Sequence, residues 1–273
     1  MTYTFAPIGV IRSCFPDKFG IPRQPRLVTA ARARLELLPG FNREEAFAEI
    51  VGFSHIWIVF VFHDCLGEGW KPRVRPPRLG GRKTVGVFAS RAPYRPNPIG
   101  ISAVELIGIE RSARGLALHL RGVDLLDGTP VLDIKPYVPY ADAIPEARGG
   151  FAPSAPDHRW PIAFAPQAER QIAAADPSGT RELRLLITQV LAQDPRPGYM
   201  DRYPERRRFV MRLYDLEITW QVQTDGILVT EIAQPNHSNS QCGAELGPIG
   251  GGDRDGDNLG DASVGRERPK CNG

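Results

Sequence analysis

Cysteine is scarce. Cys14, Cys65, Cys242 and Cys271 are the only four in 273 residues, and no two stand in C-x-x-C spacing. Neither a disulfide framework nor a cysteine-based zinc site is indicated, and a reducing cytoplasm is the expected compartment. Long apolar runs are missing too. The longest, Ile56 to Phe62, is far too short to cross a bilayer and reads as a buried strand. No charged-then-apolar leader precedes Tyr3, so export is not expected. The chain has no G-x-x-x-x-G-K-[ST] phosphate loop, no G-x-G-x-x-G after a strand, no G-x-S-x-G elbow and no H-E-x-x-H. A nucleotide-type cofactor would therefore not sit in a helix-flanked dinucleotide crevice. No metal is expected: His55 and His63 share a strand face but would stand about 27 Å apart on a straight strand. The Asp253 to Asp257 run has Asn258 and Val264 where a calcium loop needs Gly and Glu.

What is present is an ordinary globular balance, 42% hydrophobic and 24% charged with a net charge of +3, but an uneven spread of arginine. Between Lys71 and Lys83 lie Arg73, Arg75, Arg78 and Arg82 with no acidic residue among them. A later cluster interleaves Arg202, Arg206, Arg207, Arg208 and Arg212 with Tyr199, Tyr203, Phe209 and Tyr214. Guanidinium groups beside aromatic rings suit phosphate contact with base stacking, the way folded RNA loops are held; solvated surface charge is the plainer reading of the same pattern. The segment Gly86 to Gly100 joins an apolar start to Arg91 and Arg95 among Pro93, Pro96 and Pro98. Its prolines make a stiff loop that either presents both arginines to an anion or serves as a structural turn.

Residues 1–150 read as strands: Thr4 to Ile11, Arg34 to Leu38, His55 to Phe62, Val85 to Ala89, Ile101 to Ile109 and Leu116 to Leu120, with a short helix over Asn42 to Val51. In Leu116 to Leu120 the leucines alternate with Ala117 and His119, the period of a strand with one buried face. Many short strands with Gly/Pro punctuation predict a mainly β fold with an N-terminal β-barrel. A Pro/Ala-rich linker is expected over 151–168, then a small α+β C-terminal domain over 169–234. There Asp176-Pro177 opens a helix through Leu183 to Leu191, Asp194-Pro195 stops it, and Asp225-Gly226 turns a hairpin between two strands. The aromatic-poor, glycine-rich stretch 235–273 is expected to be a disordered tail.

The order of the motifs resembles that of the TsaA-like, or TrmO, family. The likeness is carried by Ile8 to Ser13, Pro22 to Pro25, Phe53 to Trp57 with Phe62-His63, Val74 to Gly81, Gly86 to Arg91, Arg95 to Gly100, and Asp124 to Tyr137. Leu191 to Pro197 looks like the smaller C-terminal domain of the bacterial members.

That resemblance implies an S-adenosylmethionine-dependent tRNA methyltransferase, usually a homodimer, with a β-barrel catalytic domain. Its substrate would be N6-threonylcarbamoyladenosine at position 37 of threonine tRNA, methylated on N6. It implies cofactor contacts at Pro25, Arg26 and Leu27, at His63 and Asp64, at Arg91, at Ile101, and along Thr129, Pro130, Val131 and Leu132, many of them through the backbone. Arg26 stands where bacterial relatives often carry Gly, so backbone rather than side chain is expected to matter there. The activated sulfonium methyl needs mainly alignment with its acceptor and no metal. For the departing N6 proton, Asp133 is the first candidate, with Asp127 and His63 behind it; equally, Asp127-Gly128 is a hairpin turn and Asp133 a partner of Lys135. Arg75, Arg78, Arg95 and Arg207 would hold tRNA, and Tyr137 would stack a base or simply pack. A non-catalytic RNA-binding or regulatory barrel is the alternative.

Overall fold

The computed structural model describes residues 2–80, 83–113, 115–156, 160–196, 200 and 203–235. The expected tail, the calcium-like run, Arg82, Tyr199 and Arg202 lie outside them.

Eight strands occupy the N-terminal part: β1 (Gly9–Ser13), β2 (Arg32–Leu37), β3 (His55–Val61), β4 (Arg73–Val74), β5 (Val85–Gly86), β6 (Ile99–Ser112), β7 (Gly115–Arg121) and β8 (Pro130–Pro136). Six of them close a barrel in the order β1-β2-β7-β6-β3-β8, every neighbour antiparallel. The mainly β fold expected from the sequence is the one observed. Strand alternation decides what fills it. Along β3, Ile56, Ile58 and Phe60 are buried while His55, Trp57, Val59 and Val61 stay partly exposed. Ile11, Leu35, Val104, Leu118, Leu120 and Val131 complete the interior.

The structure differs from the expected elements in four places here, the first being that the strand expected over Thr4 to Ile11 begins only at Gly9. Asn42 to Val51 is not a helix; 3₁₀ turns run over Pro39–Phe41, Glu44–Phe47 and Ile50–Gly52. Val85 to Ala89 splits into the two-residue β5 and a 3₁₀ turn. β8, unexpected as a strand because proline stands at both its ends, closes the barrel by pairing with β1 and β3. Proline is tolerated at the first residue of a strand.

After the short α1 (Pro139–Asp142), the C-terminal part comprises β9 (Ile162–Phe164), α2 (Pro166–Ala175), α3 (Leu183–Ala192), β10 (Arg208–Leu213), β11 (Leu216–Val222) and β12 (Ile227–Ala233). Its sheet runs β10-β11-β12-β9, with β9 parallel to β12. Both β9 and the start of α2 fall within residues expected to be linker. Pro166 is the reason: at the first turn of a helix it forgoes an N–H that has no partner there anyway. Asp176 does serve the start of α3, accepting from the Arg181 and Leu183 amides at 3.2 and 3.1 Å.

This part packs on the barrel through one shared core and a polar seam. Glu182 accepts from Arg32 at 2.6 Å and from Arg121 at 3.2 Å. Gln189 accepts from the Ala30 amide and donates to the Thr29 hydroxyl. The seam ties down the β1–β2 loop, which forms one wall of the cavity described next.

Candidate active site at the barrel mouth

A cavity of about 600 Å³ opens between the β1–β2 loop, the end of β3, the start of β6, the loop before β6 and the turn that leads into β8. That volume suits a cofactor-sized molecule. Each wall has a local cause. Phe62 donates its amide to the Pro98 carbonyl, which turns the chain from β3 into a 3₁₀ turn and delivers His63, Asp64 and Cys65 to the rim. His63 Nε2 lies 3.4 Å from Asp64 Oδ1, and Lys18 Nζ lies 3.7 Å from Asp64 Oδ2. Burial raises the Cys65 thiol above its ordinary pKa, so it stays a thiol.

The proline-rich loop is held by its own arginine. Arg95 Nη1 donates to the carbonyls of Val87 and Ser90 at 3.1 and 2.7 Å, and its guanidinium lies 5.5 Å from the Phe88 ring centre. Lys71 caps Tyr94 at 3.9 Å. With the loop fixed, Arg91 extends across the opening and donates to Gln24 Oε1 at 2.7 Å. The apolar share of the lining comes from Phe60, Phe62, Ile99 and Ile101.

Asp124 on the cavity wall and Ser102 buried behind it are two residues that sequence reasoning did not single out. Ser102 is fully buried, and its hydroxyl donates to Asp124 Oδ1 at 2.5 Å. Burial pushes the Asp124 carboxyl up to about 6, against the opposing pull of Ser102, its own amide and Arg91. The available signals were a hydroxyl at an inward position of β6 and an aspartate opening the Asp124 to Tyr137 block.

Of the residues implied as cofactor contacts, His63, Asp64, Arg91, Ile101 and Thr129 line this one cavity. Pro25, Arg26 and Leu27 follow Gln24 in the wall loop without lining it. Arg26 has φ 65°, and its amide donates to the Gly122 carbonyl. Pro130, Val131 and Leu132 continue from Thr129 into β8, where Val131 points into the core. Of the three candidate proton acceptors, His63 lines the cavity and Asp133 and Asp127 stand elsewhere. Asp133 is paired with Lys135 at 2.8 Å and lines a second depression with Arg43 and Phe47. Asp127 accepts from the Ser13 amide at 2.9 Å and faces Arg12, in the turn closed by Gly128 at φ 78°. Tyr137 packs against Trp57 and His55 and is not part of the cavity lining. Arg75, Arg78 and Arg207 are exposed.

The residues present fit S-adenosylmethionine. The Arg91 fork matches a carboxylate, and the aromatic and aliphatic lining matches an adenosyl group.

Comparison with known proteins identifies the family. The family model described as tRNA-methyltransferase O N-terminal domain matches residues 10–143, and the TrmO C-terminal domain model matches residues 157–235. A relative from Pseudomonas aeruginosa, named as a candidate S-adenosylmethionine-dependent methyltransferase, is 50% identical over 85% of this chain and 99% of its own length. The tRNA (adenine(37)-N6)-methyltransferase of Escherichia coli is 43% identical over 84% of this chain and 97% of its own. The crystal structure of TrmO from Pseudomonas aeruginosa superposes with a TM-score of 0.72 at 45% identity, covering 85% of this chain and 99% of that one. The two domain matches, which together span most of the chain, place it in the tRNA-methyltransferase O (TrmO) family.

Proposed function

We propose that the chain methylates N6 of N6-threonylcarbamoyladenosine at position 37 of threonine tRNA. Family membership makes it a tRNA methyltransferase that uses S-adenosylmethionine; the modified base and the isoacceptor are our reading. The observation that carries it is convergence. His63, Asp64, Arg91, Ile101 and Thr129 come from four separate stretches of sequence and line a single cavity.

When bound, the cofactor supplies an activated methyl group on sulfur. The chain's own residues do the rest. Arg91, steadied by Gln24, holds a carboxylate of the cofactor. Phe60, Phe62 and Ile101 pack the adenosyl group and exclude water, Thr129 borders it, and Pro25 to Leu27 and Pro130 to Leu132 support the walls from behind. Alignment of this kind supplies about 7–11 kcal/mol of a barrier. Arg75, Arg78 and Arg207 reach RNA phosphates, and Arg95 keeps the loop rigid beside them. Phe88 and Trp70, 73% and 54% exposed, offer flat faces to bases.

Ile99 and Ile101 at the cavity edge and Ile107 farther along β6 are 38–50% exposed. We assign this apolar outer face to a second copy of the chain, making a homodimer. The place of action is the cytoplasm, where the tRNA is.

The test is to incubate the protein with S-adenosylmethionine and threonine tRNA carrying the threonylcarbamoyl group, then weigh the digested nucleosides. A gain of one methyl on that nucleoside is expected. The reading fails if unmodified adenosine or an unrelated tRNA is methylated instead.

A further inference from the structure

The charged and titratable side chains that line the cavity come from three loops around Asp124. Lys18 and Arg23 belong to the β1–β2 loop, His63, Asp64 and Cys65 to the turn after β3, and Arg91, Tyr94 and Arg95 to the proline-rich loop. Most of them cannot receive a proton. Lysine and arginine only donate, and the Cys65 thiol is kept protonated by burial. Asp64 is engaged at the rim by Lys18 and His63, which share its two oxygens. His63 could accept one, but it stands at the rim, 27% exposed and paired with Asp64; Asp124 differs from all of these. Its Oδ1 is fixed by the buried Ser102 hydroxyl, and among the described residues no other side chain holds its Oδ2. It is the carboxylate of the inner wall, where a reacting group would be deepest.

We infer that Asp124 accepts the proton of the target nitrogen, with Ser102 as the residue that positions its carboxylate. The assignment rests on the methyl-transfer reading above. In the step, a new bond forms between the nitrogen and the methyl carbon while the bond from that carbon to sulfur breaks, its electron pair staying on sulfur. The N–H bond breaks, its pair remains on nitrogen, and the proton goes to Asp124 Oδ2. The charge brought by the methyl thus leaves the nitrogen at once, which a carbamoylated amine, poor in electron density, requires. The environment suits a proton acceptor, because burial holds the free carboxyl at about 6, a stronger base than an exposed aspartate yet still ionised at neutral pH.

The experiment compares wild type, Asp124→Asn and Ser102→Ala on three readouts. These are single-turnover methyl transfer at saturating S-adenosylmethionine, cofactor affinity by calorimetry, and the carboxyl titration of Asp124 by ¹³C NMR without cofactor. Asp124→Asn is expected to slow transfer by about 100-fold or more while cofactor affinity stays within about threefold. The wild-type carboxyl should titrate near 6, and Ser102→Ala should move it up, because the lost hydroxyl favoured the ionised form. The acid limb of the transfer rate should move in the same direction. A purely structural role would leave that limb in place. Transfer by Asp124→Asn within about threefold of wild type, or a carboxyl that titrates as an ordinary aspartate, overturns the assignment. Should Asp124→Asn fail to fold, the Ser102→Ala titration and limb decide it. A wild type that binds the cofactor and methylates no tRNA sinks the functional reading and this role together, whereas a competent wild type with an unimpaired Asp124→Asn sinks only the role.

Discussion

Gly100 and Phe60 are register partners across β6 and β3, and the phenyl ring lies where a Gly100 side chain would be, so that a Cβ there would overlap the ring edge of Phe60. The ring also lines the cavity and packs edge-on to Phe62, with centroids 4.9 Å apart. Gly100→Ala must therefore displace Phe60. A stability loss of about 1–3 kcal/mol is expected in denaturant titration, with weaker S-adenosylmethionine binding in calorimetry.

Arg26 shows the opposite case, a side chain where glycine belongs. Its φ of 65° strains a residue with a Cβ, while its amide bond to Gly122 is backbone and survives substitution. Arg26→Gly should be neutral or stabilising by about 1 kcal/mol, because relief of strain outweighs the added freedom of the unfolded chain. Cofactor affinity should not change. A large loss of affinity would show that the guanidinium itself is used.

Arg91 and Arg207 should separate the two ligands. Arg91→Ala removes the fork that spans the cavity mouth to Gln24 and is expected to abolish cofactor binding by calorimetry. Arg207, exposed beside the Tyr203 and Arg206 pair, should affect only RNA. Arg207→Ala should weaken tRNA binding and reduce its salt slope by about 1 in filter-binding titrations.

Glu182 is the joint between the barrel and the C-terminal unit. It faces Arg32 and Arg121 at 2.6 and 3.2 Å. Glu182→Gln leaves two partly buried guanidinium groups facing each other and should destabilise by about 1–3 kcal/mol. The companion expectation is faster hydrogen exchange in the β1–β2 loop.

Asp124 predicts a pH signature in stability. Its folded pKa of about 6 lies above the ordinary 3.8, so the native state binds the proton more tightly than the unfolded chain does. The stability tied to that proton is fully present below about pH 4 and is lost as pH rises through about 6. Asp124→Asn cannot titrate. Its unfolding free energy should exceed that of wild type at about pH 8, by about 3 kcal/mol, and the gap should close near pH 4.

Much of the barrel was legible because strand faces are written locally. The alternation in His55 to Val61 and in Leu116 to Leu120 anticipated which side chains are buried. β8 and α2 were less legible, since Pro130, Pro136 and Pro166 read as breaks when taken alone. Each stands at an element's end, where its missing N–H is harmless. Among site residues, Arg91 and His63 stood out through chemistry and motif. Asp133 and Asp127 did so as well, yet their carboxylates are engaged by Lys135 and by the Ser13 amide outside the cavity.

By itself the amino-acid sequence determined the strand periods, the stiffness of the Pro93 to Pro98 loop and the family to which the motifs belong, because each depends on neighbours within a few positions. Only the tertiary structure decided that the buried Ser102 meets Asp124, 22 residues on, and that Asp124 lines a cavity shared with Arg91. Barrel closure sets that meeting: strand register points Ser102 inward on β6, the β7–β8 connection carries Asp124 over it, and burial then raises the carboxyl's pKa.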